Sequence, residues 1–598
     1  MCDWSSDVCS SDLKPQWALL GATFIAICSF LPLYLAPASV AEIVKPLFVV
    51  LAVSLGLSWI LALCQTTTFG NFILKEAVPG GAMKDPYDTK LYHKFEKFLT
   101  LLIKRRFVTL TTVFVTLVLS LVIMAVMPQS FFPKMNKPYF RADLVFPEGF
   151  SIHAVDQDVM KVEDYLKNHE KVKSYSVTLG GTPLRYYLAS SSFGPKSNYA
   201  NVMVETKDPE DAAEVEQQFY EHMTQNFPNI ITRSALFALS PVPEAAIEIG
   251  FIGENPDTLT ALVERAKKIA RQCDMVTDIR SNWGDKVPVW KPMFSQQKGL
   301  RLGITRQQVA NSFRTATNGL PLGEYREGDV SLPILLKDED VEKMNLNDVK
   351  SVPVFSTKGN SVKVEQVIDN FALGYDYNVV RRFNRERCMM MQCEPKRGAN
   401  TMAAFKQVLT AVQEQMQLPE GYKMKYFGEQ ETQDVSNAAL AKNIPLTFLL
   451  IYVVLLFLFP SNYRKPVLIM LMLPLVFIGV VWGLLLFGKS LDFFAILGLL
   501  GLIGMNIKNA IVLVDEIGLQ LKDGKGAVPA VVEATKTRIV PVTMASGTTI
   551  LGMLPLLGDA MFAGMAATIM GGLFVSTVLT IFVLPVTYCI FFKIRADR

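Results

Sequence analysis

Hydrophobic residues gather in eight long runs along the 598-residue chain, at 17–36, 44–64, 107–127, 444–459, 466–487, 493–514, 539–557 and 567–592. Each run approaches or reaches the ~20 residues with which a helix crosses a bilayer. Between the third and fourth runs lies a polar stretch of about three hundred residues, where apolar positions alternate or recur at helical spacing. The pattern predicts three membrane helices, a soluble block large enough for several domains, and five more membrane helices.

Inside the block, YFRADLVF from Tyr139 reads as a strand, 152–168 as an amphipathic helix, KVKSYSVTL and NYANVMVET as strands, and 209–226 as a helix. This β-α-β-β-α order has the short connections of a ferredoxin-like unit. A second unit opens at 245 with AAIEIGFIG and continues with a helix over 256–272 and a strand near 274–282. It then breaks off, resuming as CMMMQCEP, a helix over 402–416 and the strand YKMKYFG. The intervening residues 286–384 are rich in turn signals (Pro288, NGLPLGE, Pro333, Pro353, TKGN) and read as an inserted mixed α/β subdomain. The expected fold class is a membrane α-helical bundle joined to α+β domains.

Composition strengthens the membrane reading, with 50% hydrophobic and only 19% charged residues. A net charge of +4 with no basic soluble face gives no reason to expect nucleic acid as a partner. Lysine and arginine instead report orientation. They crowd the connections 65–106 (Lys75, Lys84, Lys90, Lys94, Lys97, Lys104, Arg105, Arg106), 461–465 (Arg464, Lys465) and 519–538 (Lys522, Lys525, Lys536, Arg538), and the tail (Lys593, Arg595, Arg598). The alternate connections 37–43, 488–492 and 558–566 hold one lysine together. The first set is therefore expected in the cytoplasm and the soluble block outside. Residues 2–13, CDWSSDVCSSDL, fit neither a signal peptide nor a membrane helix, read as a non-native sequencing-adapter translation, and are set aside.

Candidate chemistry is sparse. His93, His153, His169 and His222 lie on helical segments without ligand spacing, so no metal site is expected from them. GLLLFGKS at 483–490 matches a phosphate-loop pattern by letter, but its leucines end a membrane run instead of forming a polar glycine-rich turn. CMMMQC at 388–393 offers soft sulfur ligands, yet an extended strand puts Cys388 and Cys393 on opposite faces. The loop 180–199 is longer than a hairpin needs and carries Arg185, Tyr186, Tyr187 and Phe193, so it is a candidate gate on an apolar ligand path or a packing surface. The sharpest feature is IGMNIKNAIVLVDE, which places Lys508 and Asn509 inside an apolar span. A charge at that depth costs at least about 2.5 kcal/mol and normally has a function. Gly501, Gly504 and Met505 leave one flank small enough for a neighbouring helix. The next span opens with Arg538 and continues with Thr543, Ser546, Thr548 and Thr549, which predicts a polar strip between two helices.

Together, GMNIKNAIVLVDE (504–516), VPVTMASGTTILGMLPL (540–556), MGGL (570–573) and AVMPQSFFPKMNKPYF (125–140) resemble the resistance-nodulation-division (RND) permeases of the hydrophobe/amphiphile efflux type, from about residue 14 onward. The resemblance implies a pattern of twelve membrane helices, of which this chain looks like the fifth to twelfth with the second exported block. Residues 135–243 would be one porter subdomain, 244–285 with 385–428 the second, and 286–384 a docking subdomain. Lys508 would face two aspartates on a companion helix in a proton relay with Asn509, Arg538, Thr543 and Ser546; Ala545 stands where the family has a hydroxyl. Arg185, Tyr186, Tyr187 and Phe193 occupy the place of the substrate-gating loop. The implied protein is a proton antiporter of the bacterial inner membrane, without cofactor or covalent chemistry. It would work as a homotrimer with a periplasmic adaptor and an outer-membrane channel, exporting amphiphilic small molecules. The alternatives are a heavy-metal exporter of the same family and a membrane-anchored assembly or binding protein without transport.

Overall fold

The computed structural model describes residues 19–594 apart from 37–38, 74–88, 131, 133–134, 185–194, 238–243, 340–347, 357–358, 461 and 523. Helix α1 (Leu19–Leu35) is a short apolar helix. It is followed by α2 (Ser39–Ile73), α3 (Lys90–Lys104) and α4 (Arg106–Val126). Among the described residues 7 helices are long and apolar enough to cross a membrane, beginning with the stretch Lys45–Gln65 of α2 and with α4.

The first soluble subdomain runs β1 (Tyr139–Val145), α5 (Ile152–Lys167), β2 (Val172–Leu179), β3 (Tyr199–Thr206), α6 (Ala212–Asn226) and β4 (Ile231–Leu236). The sheet is antiparallel in the order β2-β3-β1-β4, so the two helices cover one face. Alternation along β1 drives this: Phe140, Ala142 and Leu144 are buried against Val155, Val159, Val162, Phe219 and Met223 of the helices. Ser151 caps α5 by accepting the Ala154 N–H at 3.3 Å. Strand β4, absent from the sequence expectation, completes the ferredoxin-like unit.

The second subdomain has β5 (Ile247–Ile252), α7 (Pro256–Ala270), β6 (Val276–Ser281), β7 (Glu386–Pro395), α8 (Thr401–Gln415) and β8 (Lys423–Gly428). Its strands take the equivalent order β6-β7-β5-β8. Asn255 and Asn400 cap the two helices through the Asp257 and Ala403 N–H groups at 2.8 and 3.0 Å.

Residues Trp283–Arg381 form a separate compact unit, which covers most of the stretch expected as an insert. It pairs the strand Lys286–Phe294 with Ile368–Tyr377 and carries a helix, Arg306–Thr315, opened by a Thr305/Gln308 capping box. Its hairpin, Leu320–Glu327 with Val330–Leu336, is exposed from Pro321 onward.

Strand β8 passes directly into α9 (Glu429–Leu458), which therefore starts well before the apolar run at 444. The junction is Gly428 at φ +81°, where a Cβ would lie 2.8 Å from the Ala246 carbonyl oxygen. Only glycine fits. There follow α10 (Arg464–Leu486), α11 (Phe493–Lys522), α12 (Ala527–Met553) and α13 (Ala563–Phe591). Helices α10, α11 and α13 make the buried centre of the bundle, packing residues such as Ile469, Ile511, Val514 and Leu584. Gly483, the first glycine of the phosphate-loop-like pattern, lies within α10, and a Cβ there would sit 2.8 Å from Gly571 Cα of α13. Its role is backbone-to-backbone helix packing.

Candidate functional site

Three helices meet in a polar ladder inside the bundle. Asn509 on α11 is buried and its amide donates to Ser546 Oγ on α12 at 3.5 Å. Ser546 Oγ lies 2.6 Å from the Thr577 hydroxyl of α13. One turn away Thr580 of α13 donates to Asn506 Oδ1 of α11 at 3.3 Å. Where α12 passes the far end of α11, Arg538 Nη2 and Nε donate to Glu516 Oε2 at 2.6 and 3.2 Å. Residues 506, 509 and 516 share one helical face by their spacing of three and seven, which aims them at the same neighbours.

The structure thus divides the five relay candidates. Asn509, Arg538 and Ser546 are in the ladder. Lys508 and Thr543 are exposed on the outside of α11 and α12, and among the described residues no carboxylate pairs with Lys508. The predicted hydroxyl strip is correspondingly narrower: Thr543, Thr548 and Thr549 turn back to the carbonyls of Ile539, Ala545 and Ala545 at 2.6, 3.0 and 3.0 Å, leaving Ser546 alone to cross to a neighbour. The small flank of α11 does receive a helix, since a Cβ at Gly504 would lie 2.8 Å from Ala26 Cα of α1. Asn506, Glu516, Thr577 and Thr580 were not anticipated. Thr577 and Thr580, three apart and so on one helical face, were the available signal.

Outside the helical bundle a second cluster of buried polar groups joins the two ferredoxin-like subdomains. On the outer face of the first sheet Asp143 accepts from the Tyr199 hydroxyl at 2.6 Å and the Asn201 amide at 2.7 Å, and stands opposite Arg233 in register. Arg233 lies within electrostatic range of Asp278, Arg280 and Glu394 of the second subdomain. Arg280, 7% exposed, pairs with Asp278 and with Glu394 at 3.4 Å, and donates to the Glu244 carbonyl at 2.9 Å. Gln392 carries the network on to Glu248 at 2.8 Å and Glu244 at 3.3 Å. Burial pushes the Glu248 carboxyl up to about 7, and burial likewise raises Asp278 and Glu394 against the lowering effect of Arg280. Burial, reinforced by Arg280, holds Arg233 below the usual guanidinium range. Nearby, Arg397 of the second subdomain grips Glu216 of α6 with two hydrogen bonds of 2.6 and 2.5 Å and lies 4.5 Å above the Tyr220 ring.

Two further candidates fall elsewhere. Arg185, Tyr186, Tyr187 and Phe193 lie outside the described residues; the base of their loop is closed by Gly180 N–H to Tyr199 O at 2.8 Å and Lys196 N–H to Gly180 O at 3.0 Å. Cys388 joins Ile252 and Phe427 in a small apolar cluster beside Gly250, whereas Cys393 is buried in the subdomain interior. Burial pushes the two thiols up to about 11 and about 12, with Glu248 and Glu394 adding to the effect, so neither favours the thiolate a soft metal needs.

The profile of the AcrB/AcrD/AcrF family matches residues 9–592. Swarming motility protein SwrC of Bacillus subtilis is 22% identical over 97% of this chain and 55% of its own length. Multidrug export protein AcrF of Escherichia coli is 23% identical over 96% of this chain and 57% of its own. Nickel and cobalt resistance protein CnrA of Cupriavidus metallidurans is 27% identical over 58% of this chain and 33% of its own. A crystal structure of a heavy-metal efflux pump superposes with a TM-score of 0.77 at 18% identity, over 98% of this chain and 58% of that one. The chain therefore spans a little more than half the length of SwrC and AcrF. The fold of paired ferredoxin-like subdomains on a helical bundle agrees with the profile, and the chain belongs to the AcrB/AcrD/AcrF family of RND permeases.

Proposed function

We propose that the chain is the membrane and porter core of a proton-driven exporter of amphiphilic compounds in the bacterial inner membrane. The observation that carries this reading is an ionisable, ladder-bearing helix trio in the same bundle as α9, which grows without a linker out of a porter strand. Protonation of acids facing Lys508 removes its counter-charge. Two arrangements of α11 against its neighbours then differ in energy, and a bistable element follows. Helix α9 delivers that change to β8 and the second porter subdomain. The acids, the trimer, the adaptor and the outer-membrane channel implied by the family resemblance belong to the proposal. Assembly is supported by the hairpin 320–336, whose Leu322, Tyr325, Leu332 and Ile334 are all exposed, as on a surface that a partner covers.

An amphiphilic cargo is supported by the outer sheet face of the second subdomain, where Ile252, Cys388, Phe383 and Phe427 adjoin the charged group Lys425, 4.4 Å from the Phe383 ring centre. A heavy-metal cargo is favoured instead by the similarity to CnrA and to the heavy-metal pump. The protonated, opposed thiols of Cys388 and Cys393 weigh against it. A Cys388→Ser, Cys393→Ser double variant with altered silver or copper tolerance would move the reading to metal.

The test of proton drive is Lys508→Met in the native gene. Its side chain is exposed, so unfolding stability should change by no more than about 0.5 kcal/mol. Proton-gradient-dependent dye efflux from membrane vesicles should fall to background. Efflux retained at the wild-type rate rejects the relay.

A further inference from the structure

We propose that α3 presents a docking strip for anionic phospholipid headgroups on the cytoplasmic side. Lys90, Lys94, Lys97 and Lys104 recur at spacings of four, three and seven, which stacks them on one helical stripe, and Arg105 closes it at the C-terminal end. All five are exposed. The one acid of the helix, Glu96, lies off the stripe, 3.9 Å from His93 Nδ1. Such a row of like charges repels itself unless an anionic partner accompanies it.

The opposite face fixes where the stripe points. Phe95, Leu99 and Ile103 are buried in the core of the membrane bundle. Phe95 and Phe98 flank the Phe582 ring of α13, with centroids 5.6 and 5.4 Å away. The helix therefore cannot roll to hide its cations.

Its depth is fixed as well. Arg106 opens the span α4 immediately after Arg105, and its Nη1 lies 3.5 Å from the Ile594 carbonyl just beyond the end of α13. Two membrane helices thus end at the level of α3. The surface continuous with that level is the headgroup layer. Phe98 and Leu101 are 49% and 48% exposed beside the lysines, giving an apolar edge for the acyl boundary while the cations reach phosphate. An RNA or acidic peptide matches the charge and leaves that edge unexplained.

The experiment uses the full chain, delipidated in neutral detergent and titrated with fluorescent phosphatidylglycerol or phosphatidylcholine. Phosphatidylglycerol should bind at least tenfold more tightly, with a preference that shrinks as salt rises. Lys94→Gln with Lys97→Gln should cost that lipid about 25-fold, at roughly fivefold per charge, and leave phosphatidylcholine unchanged. Lys94→Arg with Lys97→Arg should keep the affinity, and Lys522→Gln with Lys525→Gln on another cationic connection should change it less than twofold. Equal binding of the two lipids overturns the proposal. So does an unchanged preference in the glutamine pair, or loss of both lipids in the arginine pair, which would make the lysines packing groups. Displacement of phosphatidylglycerol by equimolar RNA or acidic peptide overturns it in favour of a macromolecular partner.

Discussion

The ladder in the helical bundle and the junction between the two ferredoxin-like subdomains both bury polar groups, but they balance them differently. In the ladder polar side chains meet across helices, with Ser546 shared by two partners, and apart from Glu516–Arg538 the rungs are neutral: Asn509 with Ser546, Ser546 with Thr577, Asn506 with Thr580. In the junction Asp143, Glu244, Glu248, Asp278 and Glu394 outnumber Arg233 and Arg280, and the Nε atoms of both arginines are buried without a hydrogen-bond partner among the described residues. Neutral interhelical bonds are worth little each, about 0.6 kcal/mol, so helices can exchange them cheaply. The raised carboxyls of Glu248, Asp278 and Glu394 make this joint sensitive to pH instead.

The largest expected effect breaks the junction. Arg280→Met leaves Asp278 and Glu394 buried without their shared cation and should cost about 3 to 5 kcal/mol in chemical unfolding at pH 8. Both acids take up protons on acidification, so the deficit should shrink by pH 5.5; the same deficit at both pH values would contradict an acid-rich joint. Next comes Glu248→Gln. A carboxyl raised from 4.5 to about 7 makes the folded state hold more protons, so wild-type stability should fall as pH climbs through that window and level off above it. The glutamine variant should lose the decline and gain about 3 kcal/mol over wild type at pH 8. In the ladder, Ser546→Ala and Thr577→Val should each cost about 1 kcal/mol, with a coupling of about 0.6 kcal/mol in a double-mutant cycle on thermal unfolding. Coupling near zero would mean the rung is only proximity. The smallest effect belongs to Thr543→Val, which removes a bond to its own helix and should stay within about 0.5 kcal/mol.

Much of this was legible because it rests on local periodicity. The apolar runs mark the spans, and alternation in YFRADLV and IEIGFI marks strands with one face against helices. The broken second unit was readable because CMMMQCEP supplies a strand that its first half lacks. Strand β4 was missed since Ile231 is exposed and Thr232 buried, the reverse of the usual signal, with Arg233 committed to the junction. The first half of α9, EQETQDVSNAALAKN, was missed because it is polar and its start is set by Gly428, not by hydropathy. At the candidate site, Asn509, Arg538 and Ser546 stood out as polar residues in apolar surroundings. Thr543 was misplaced because spacing alone does not say whether a hydroxyl reaches a neighbour or its own helix. Arg397 and Glu216 are 181 positions apart and met only through tertiary structure.

Gly428 gives the molecule a lever. The 30 residues of α9 extend about 45 Å from that pivot, so tilting the strand by roughly 5° sweeps the opposite tip through about 4 Å. A tilt of that size at the sheet would thereby become a displacement of most of one helical pitch at the far end of α9, with no hinge loop between them.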